Sequence, residues 1–197
     1  MYDCLCALAF RSKISGILHL GALMNELDML LERSANFYLL TAGAAATLIG
    51  LLFVIITLGA ERRVEGSTAK IHLYLTPTVV FFGSVLEVAA LLTFPNHTRL
   101  TATLCICLAG VVGLVYSGSF LIGGGKKGYY QRSDLIAYVV APFAAYGLLV
   151  WGGVLLLRHP QRGLTLVAVS MLSLLTLAIR NSWGIAIAIV STPPRGH

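Results

Sequence analysis

The chain has 197 residues, of which 57% are hydrophobic and only 11% charged, less than half the roughly 25% charged share of an ordinary soluble domain. Its mean hydropathy of +0.85 goes with apolar runs long enough to cross roughly 30 Å of hydrocarbon at about 1.5 Å per helical residue, which excludes a water-soluble globule. The net charge of +6 would favour nucleic acid in a soluble protein. Here the basic residues border apolar runs, so the bilayer and its anionic headgroups are the expected partner and nucleic acid is not.

Residues 1–36 carry an apolar series at near-helical spacing, Ile14, Ile17, Leu18, Leu23, Met24, Leu27, Leu30 and Leu31, with Asn25, Glu26, Glu32 and Arg33 elsewhere around the wheel. This pattern predicts an amphipathic helix lying at the membrane interface. A signal peptide fits less well, because Asp3 replaces the positive start and 4–10 is a short apolar core. Translation starting at Met24 or Met29 is the other reading, and it leaves this stretch without a role to explain.

Five apolar segments follow, at about 37–59, 73–94, 100–122, 135–157 and 163–190, leaving 191–197 as a short tail. The expected fold is therefore all-α: a polytopic membrane bundle of five transmembrane helices behind the N-terminal interfacial helix. The first span closes on Glu61, Arg62 and Arg63, and a basic glycine-rich loop with Lys126 and Lys127 follows the third. Arg62, Arg63, Lys126 and Lys127 are the expected headgroup contacts. Pro95 and Pro160 sit in connections so short that spans two and three, and four and five, should form antiparallel hairpins.

Five crossings put the termini on opposite sides. Lys and Arg are nearly balanced between the two faces until Arg11 and Lys13, remote from the first span, are set aside; the remainder leans to N-terminus out and C-terminus in. An odd number of spans also cannot divide into two equal inverted halves, as many transporters do.

Two ionisable residues fall within spans: Glu87 in the second and Arg180 in the fifth. A charge at the bilayer centre costs between about 2.5 and 17 kcal/mol by different methods, so each needs a partner, water or a route to the interface. Their alpha carbons should differ in depth by about 10 Å, and the lean of helical side chains toward the N-terminus aims each at the other. Two readings of Arg180 stay open, a buried pair with Glu87 or an interfacial anchor beside Asn181 and Trp183. Glu87 alternatively stays protonated against a hydroxyl such as Ser84. Glu87, Arg180, Asn181 and Ser84 make up the candidate intramembrane polar site.

Pro142, inside the fourth span, should free the carbonyl of Tyr138 and kink the helix, which makes it a candidate hinge. Tyr138, Tyr146, Gly152 and Gly153 mark the same helix as the one best suited to move or to line a cavity. Small residues recur at four-residue spacing as Ala42, Ala46 and Gly50 in the first span and Ala109, Gly113 and Ser117 in the third. Such stripes let backbones approach closely in lipid, within a chain or between chains.

No metal or cofactor site is expected. Cys105 and Cys107 lie about 200° apart around a helix, and the five histidines are scattered among loops and helix ends. No nucleophile, base and orienting acid converge, so the protein is read as not an enzyme.

The stretch NFYLLTAGAAATLIGLLFVIITLG at 36–59, with TPTVVFFGSVLEVAALLTFP at 76–95 and IRNSWG at 179–184, resembles small bacterial five-span integral membrane proteins of unassigned function. The resemblance implies five spans and a bacterial cytoplasmic (inner) membrane, and supplies no activity. The expected function is that of a non-catalytic membrane component that self-associates or binds a membrane-protein partner. The alternative is a small channel or transporter for a proton, ion or small solute that uses Glu87 and Arg180.

Overall fold

The structure, a computed structural model, describes the backbone of residues 2–60, 68–94, 98–124 and 140–190, and the side chains of 27–57, 76–94, 98–119 and 140–187. Among the described residues there are five helices and no strand: α1 (Tyr2–Ala60), α2 (Thr68–Thr93), α3 (Arg99–Gly124), α4 (Ala141–Leu155) and α5 (Pro160–Val190). Four contain apolar stretches long enough to cross a membrane: Leu27–Thr57, Thr76–Thr93, Arg99–Ser119 and Pro160–Ile187. Such an all-helical chain is consistent with a membrane protein, since a helix satisfies its own amides where no water reaches.

The expected boundary between an interfacial helix and the first span, at 36/37, is not a break. Helix α1 runs through it for 59 residues, about 88 Å by the helical rise. No proline occurs in the first 60 residues, and Ser34, Ala35 and Asn36 do nothing to stop a helix. The apolar stretch from Leu27 covers 31 residues, about 46 Å, which exceeds the hydrocarbon thickness unless the helix tilts or its start emerges. Asp28, Glu32 and Arg33 are exposed at that start.

Of the fourth predicted segment, only the part from Val140 onward is described. Helix α4 has 15 described residues, about 22 Å, so as described it falls short of a crossing by itself. Pro142 follows the helical Val140 within the first described turn. The expected kink requires Tyr138, which lies outside the described residues. Pro160 opens α5, where its missing amide donor is not needed. At α3 the hydroxyl of Thr98 accepts from the Thr101 amide at 3.2 Å and caps the helix start.

The helices pack as a row, α3 on α4, α4 on α5, α5 on α2 and α2 on α1, closed by smaller α1–α5 and α2–α3 contacts. The α4–α5 hairpin is intimate. The α2–α3 connection is equally short, yet those helices meet only slightly, because α3 turns its small-residue face to α4. A side chain at Gly153 would reach within 2.9 Å of the Cys107 sulfur, and one at Gly110 within 2.6 Å of Val150. With Gly113 set against Tyr146, these contacts run in opposite order along α3 and α4, which makes the two helices antiparallel. Residues Phe81, Phe82, Val85, Tyr146, Leu149, Val167, Met171 and Leu174 fill the core. The outer faces are apolar too, with Leu40, Phe53, Leu104, Val115 and Trp183 exposed, as lipid-facing surfaces are.

Candidate functional site

Hydroxyl groups on these helices mostly bond their own backbone. Thr41, Thr47, Thr93, Ser119, Thr165, Ser173, Thr176 and Ser182 each donate to the carbonyl four residues earlier at 2.6–2.9 Å. That arrangement suits a solvent without donors or acceptors. Hydroxyls that reach another helix are therefore informative. Ser170 donates to the Ala145 carbonyl at 2.7 Å and ties α5 to α4. Ser84 and Tyr146 meet at 2.9 Å and tie α2 to α4.

The proton count gives the second contact a direction. Ser84 has one hydroxyl proton and also bonds the Val80 carbonyl at 2.9 Å, where it must be the donor. Tyr146 therefore donates to Ser84, giving a chain from phenol to hydroxyl to carbonyl. The Tyr146 ring is fully buried, stands 6.3 Å from the Phe81 ring, and lies against Gly113 so closely that any side chain there would overlap it. Glu87, one turn beyond Ser84 on α2, and Tyr116, one turn beyond Gly113 on α3, are the ionisable neighbours of this phenol. Three helices thus converge on one polar group.

The predicted site residues are dispersed about that group. Ser84 belongs to it. Glu87 borders it, but its side chain is exposed on the outer face of α2 rather than enclosed in the bundle. Arg180 is exposed on α5, and no ion pair or hydrogen bond joins it to Glu87 among the described residues. Ser84 bonds Tyr146 and Val80 rather than the Glu87 carboxyl. Asn181 is 3% exposed, and its Nδ2 has no hydrogen-bond partner among the described residues. Trp183, 71% exposed, points outward as an interfacial indole does. Pro142 is buried at the start of α4.

The two small-residue stripes have different fates. Ala109, Gly113 and Ser117 are all buried, and Gly113 is spent on receiving Tyr146. On α1, Ala42 is partly buried against the core while Ala46 and Gly50 are exposed, and the contact within the chain is made by Ala45. Gly43 and Gly50 have nothing within 4 Å of where a side chain would begin. Arg62, Arg63, Lys126 and Lys127 lie outside the described residues. Among those described, no group of His, Cys, Asp and Glu is placed to hold a metal ion.

Sequence reasoning missed the bond between Ser84 and Tyr146, the docking of Gly113 on that ring, and the tie from Ser170. A signal existed for the first: a tyrosine amid apolar helix residues needs a partner for its hydroxyl when buried. Nothing in the spacing said which helix would supply it. Compared with known proteins, the chain matches no family model, and no curated protein or solved structure is significantly similar to it.

Proposed function

We propose that the protein is a non-catalytic membrane component that associates with a second copy of itself or with another membrane protein, through the outer face of α2. One observation carries the reading: Glu87 is exposed on a membrane-length helix, about 9 Å before the end of α2 at Thr93 by the helical rise. An ionisable side chain on the lipid side of a bundle is costly, and a facing helix that accepts its hydrogen bond removes the cost. Gly83, one turn away, has nothing within 4 Å of where a side chain would begin, so a partner backbone can come close beside the carboxyl. The open α1 face at Gly43, Ala46 and Gly50 offers a second surface of the same kind.

In this reading α4, completed by residues before Ala141, makes a fifth crossing, and the amphipathic first part of α1 extends the first crossing out through the interface. Arg62, Arg63, Lys126 and Lys127 meet anionic headgroups. The membrane is a bacterial cytoplasmic membrane, with the N-terminus out and the C-terminus in. Reporter fusions after each helix test the crossings.

The association is tested by single-molecule photobleaching in nanodiscs, and by native mass measurement after mild detergent extraction. Glu87→Leu and Gly83→Leu should each move the protein toward monomer. A parent protein that is strictly monomeric and carries no partner through purification overturns the proposal.

The polar group at Ser84 and Tyr146 beside Glu87 favours a second reading, a small channel or transporter for a proton, ion or small solute using Glu87 and Arg180. It predicts flux in proteoliposomes under a pH or ion gradient that Glu87→Gln alters. Parent vesicles no leakier than empty ones exclude it.

A further inference from the structure

The α4–α5 hairpin carries a feature that no part of the proposed association uses. Arg158, His159, Pro160, Gln161 and Arg162 line a cleft of about 270 Å³ at one end of the bundle. Four of the five bear polar side chains, and none is acidic. Arg158, His159, Gln161 and Arg162 are exposed, and among the described residues neither arginine side chain is in an ion pair or hydrogen bond.

The cleft is held in shape by backbone. His159 donates to the Leu155 carbonyl at 2.8 Å, Arg158 to the same carbonyl at 3.1 Å, and Gly163 to the His159 carbonyl at 2.9 Å. Pro160 is buried beneath it and fixes one backbone angle of the turn. A side chain begun at Gly163 would come within 2.7 Å of the Leu156 nitrogen, so glycine is what lets α5 fold back this tightly. Arg99 opens α3 at the same end of the bundle, given the antiparallel course of α3 and α4.

We infer that this hairpin is a binding site for a phosphate-type oxyanion, with the Arg158 and Arg162 guanidiniums and the His159 imidazole as its donors. Two planar guanidiniums supply the paired N–H groups that phosphate oxygens accept. The first turn of α5 adds the positive end of a 31-residue helix. At the membrane surface such a basic recess takes the phosphate of a lipid headgroup; the same donors would hold free phosphate.

The test uses the full chain in nanodiscs of phosphatidylcholine with a minor fraction of phosphatidylglycerol. Native mass spectrometry reads retained phosphatidylglycerol, with and without inorganic phosphate. The parent should retain the anionic lipid, and the Arg158→Gln, Arg162→Gln double variant should lose about tenfold in affinity. Arg33→Gln, which removes an exposed charge on α1, should lose nothing. Retention that inorganic phosphate does not displace identifies the headgroup as the source. Displacement, together with phosphate binding that needs the same two arginines, identifies the free anion. Should the double variant misfold, Arg158→Lys with Arg162→Lys keeps the charge, removes the planar fork, and should still weaken retention. Equal retention by the parent and both variants, with no phosphate binding, overturns the inference.

Discussion

The phenol of Tyr146 donates to the hydroxyl of Ser84 across 2.9 Å, and Ser84 in turn donates to the Val80 carbonyl. The contact spans 62 positions in sequence and joins α2 to α4, helices that are not adjacent in the row but both pack on α5. Tyr146→Phe keeps the ring against Gly113 and Phe81 and removes only the hydroxyl. Hydrogen bonds between membrane helices are worth about 0.6 kcal/mol on average and up to about 1.7. The variant should therefore lose stability of that order in reversible unfolding from mixed micelles. Ser84→Ala should cost a similar amount, and the double variant little more than either alone. Full additivity would mean that the two hydroxyls do not act together.

Gly113 has a different importance from the other glycines. A methyl group there overlaps the Tyr146 ring, and a ring buried on every side has nowhere to move. Gly113→Ala should destabilise by about 1–3 kcal/mol, the cost of overpacking a core. Gly50→Ala, at a position with nothing within 4 Å, is the matched control and should be neutral or slightly stabilising, because alanine is the better helix former. Thermal unfolding in one detergent compares the two. Gly113→Ala with Tyr146→Ala should recover part of the loss at the cost of a cavity.

How much was legible beforehand follows from the physics of each signal. Apolar runs gave the all-helical membrane class, because lipid allows little else, and four of the five runs reappear as long apolar helices. Helix ends were less visible: no residue marks a stop at Asn36, so α1 continues, and the kink expected at Pro142 turns on Tyr138, outside the described residues. Depth placed Glu87 and Arg180 within reach of each other, but depth carries no information about azimuth. Both side chains face outward. The Ala109, Gly113, Ser117 stripe announced a close approach without naming α4, whereas of Ala42, Ala46 and Gly50 only Ala42 packs within the chain and the other two stay exposed.

The antiparallel course of α3 and α4 fixes which of their ends share an end of the bundle. Thr98, just before α3, and His159, between α4 and α5, lie at the same end. Cysteines at the two positions, in a background with the native cysteines replaced, should both react or both resist a membrane-impermeant maleimide added to intact cells or oriented vesicles. Opposite reactivity would contradict the register set by Gly113 on Tyr146 and Gly153 on Cys107. A common result holds whichever way the bundle is inserted, so it tests the fold separately from the positive-inside balance.

Two outer surfaces compete to be the contact with a partner, and leucine scanning separates them. On α1, Gly43 and Gly50 stand open, with Leu39, Leu40 and Phe53 exposed around them. On α2, Gly83 stands open beside the exposed Glu87. Filling an unoccupied position leaves the folded chain intact, so Gly43→Leu with Gly50→Leu, and Gly83→Leu alone, should each leave the unfolding of the monomer nearly unchanged. Association should respond to one of them. A carboxyl in hydrocarbon gains from a partner where an apolar groove gains only packing, so the α2 substitution should shift the monomer–oligomer balance by about tenfold or more, equivalent to about 1.4 kcal/mol. The α1 pair should shift it less. The reverse order, measured by photobleaching at matched protein-to-lipid ratios, would move the interface to α1 and leave Glu87 to be solvated by snorkelling toward the headgroups.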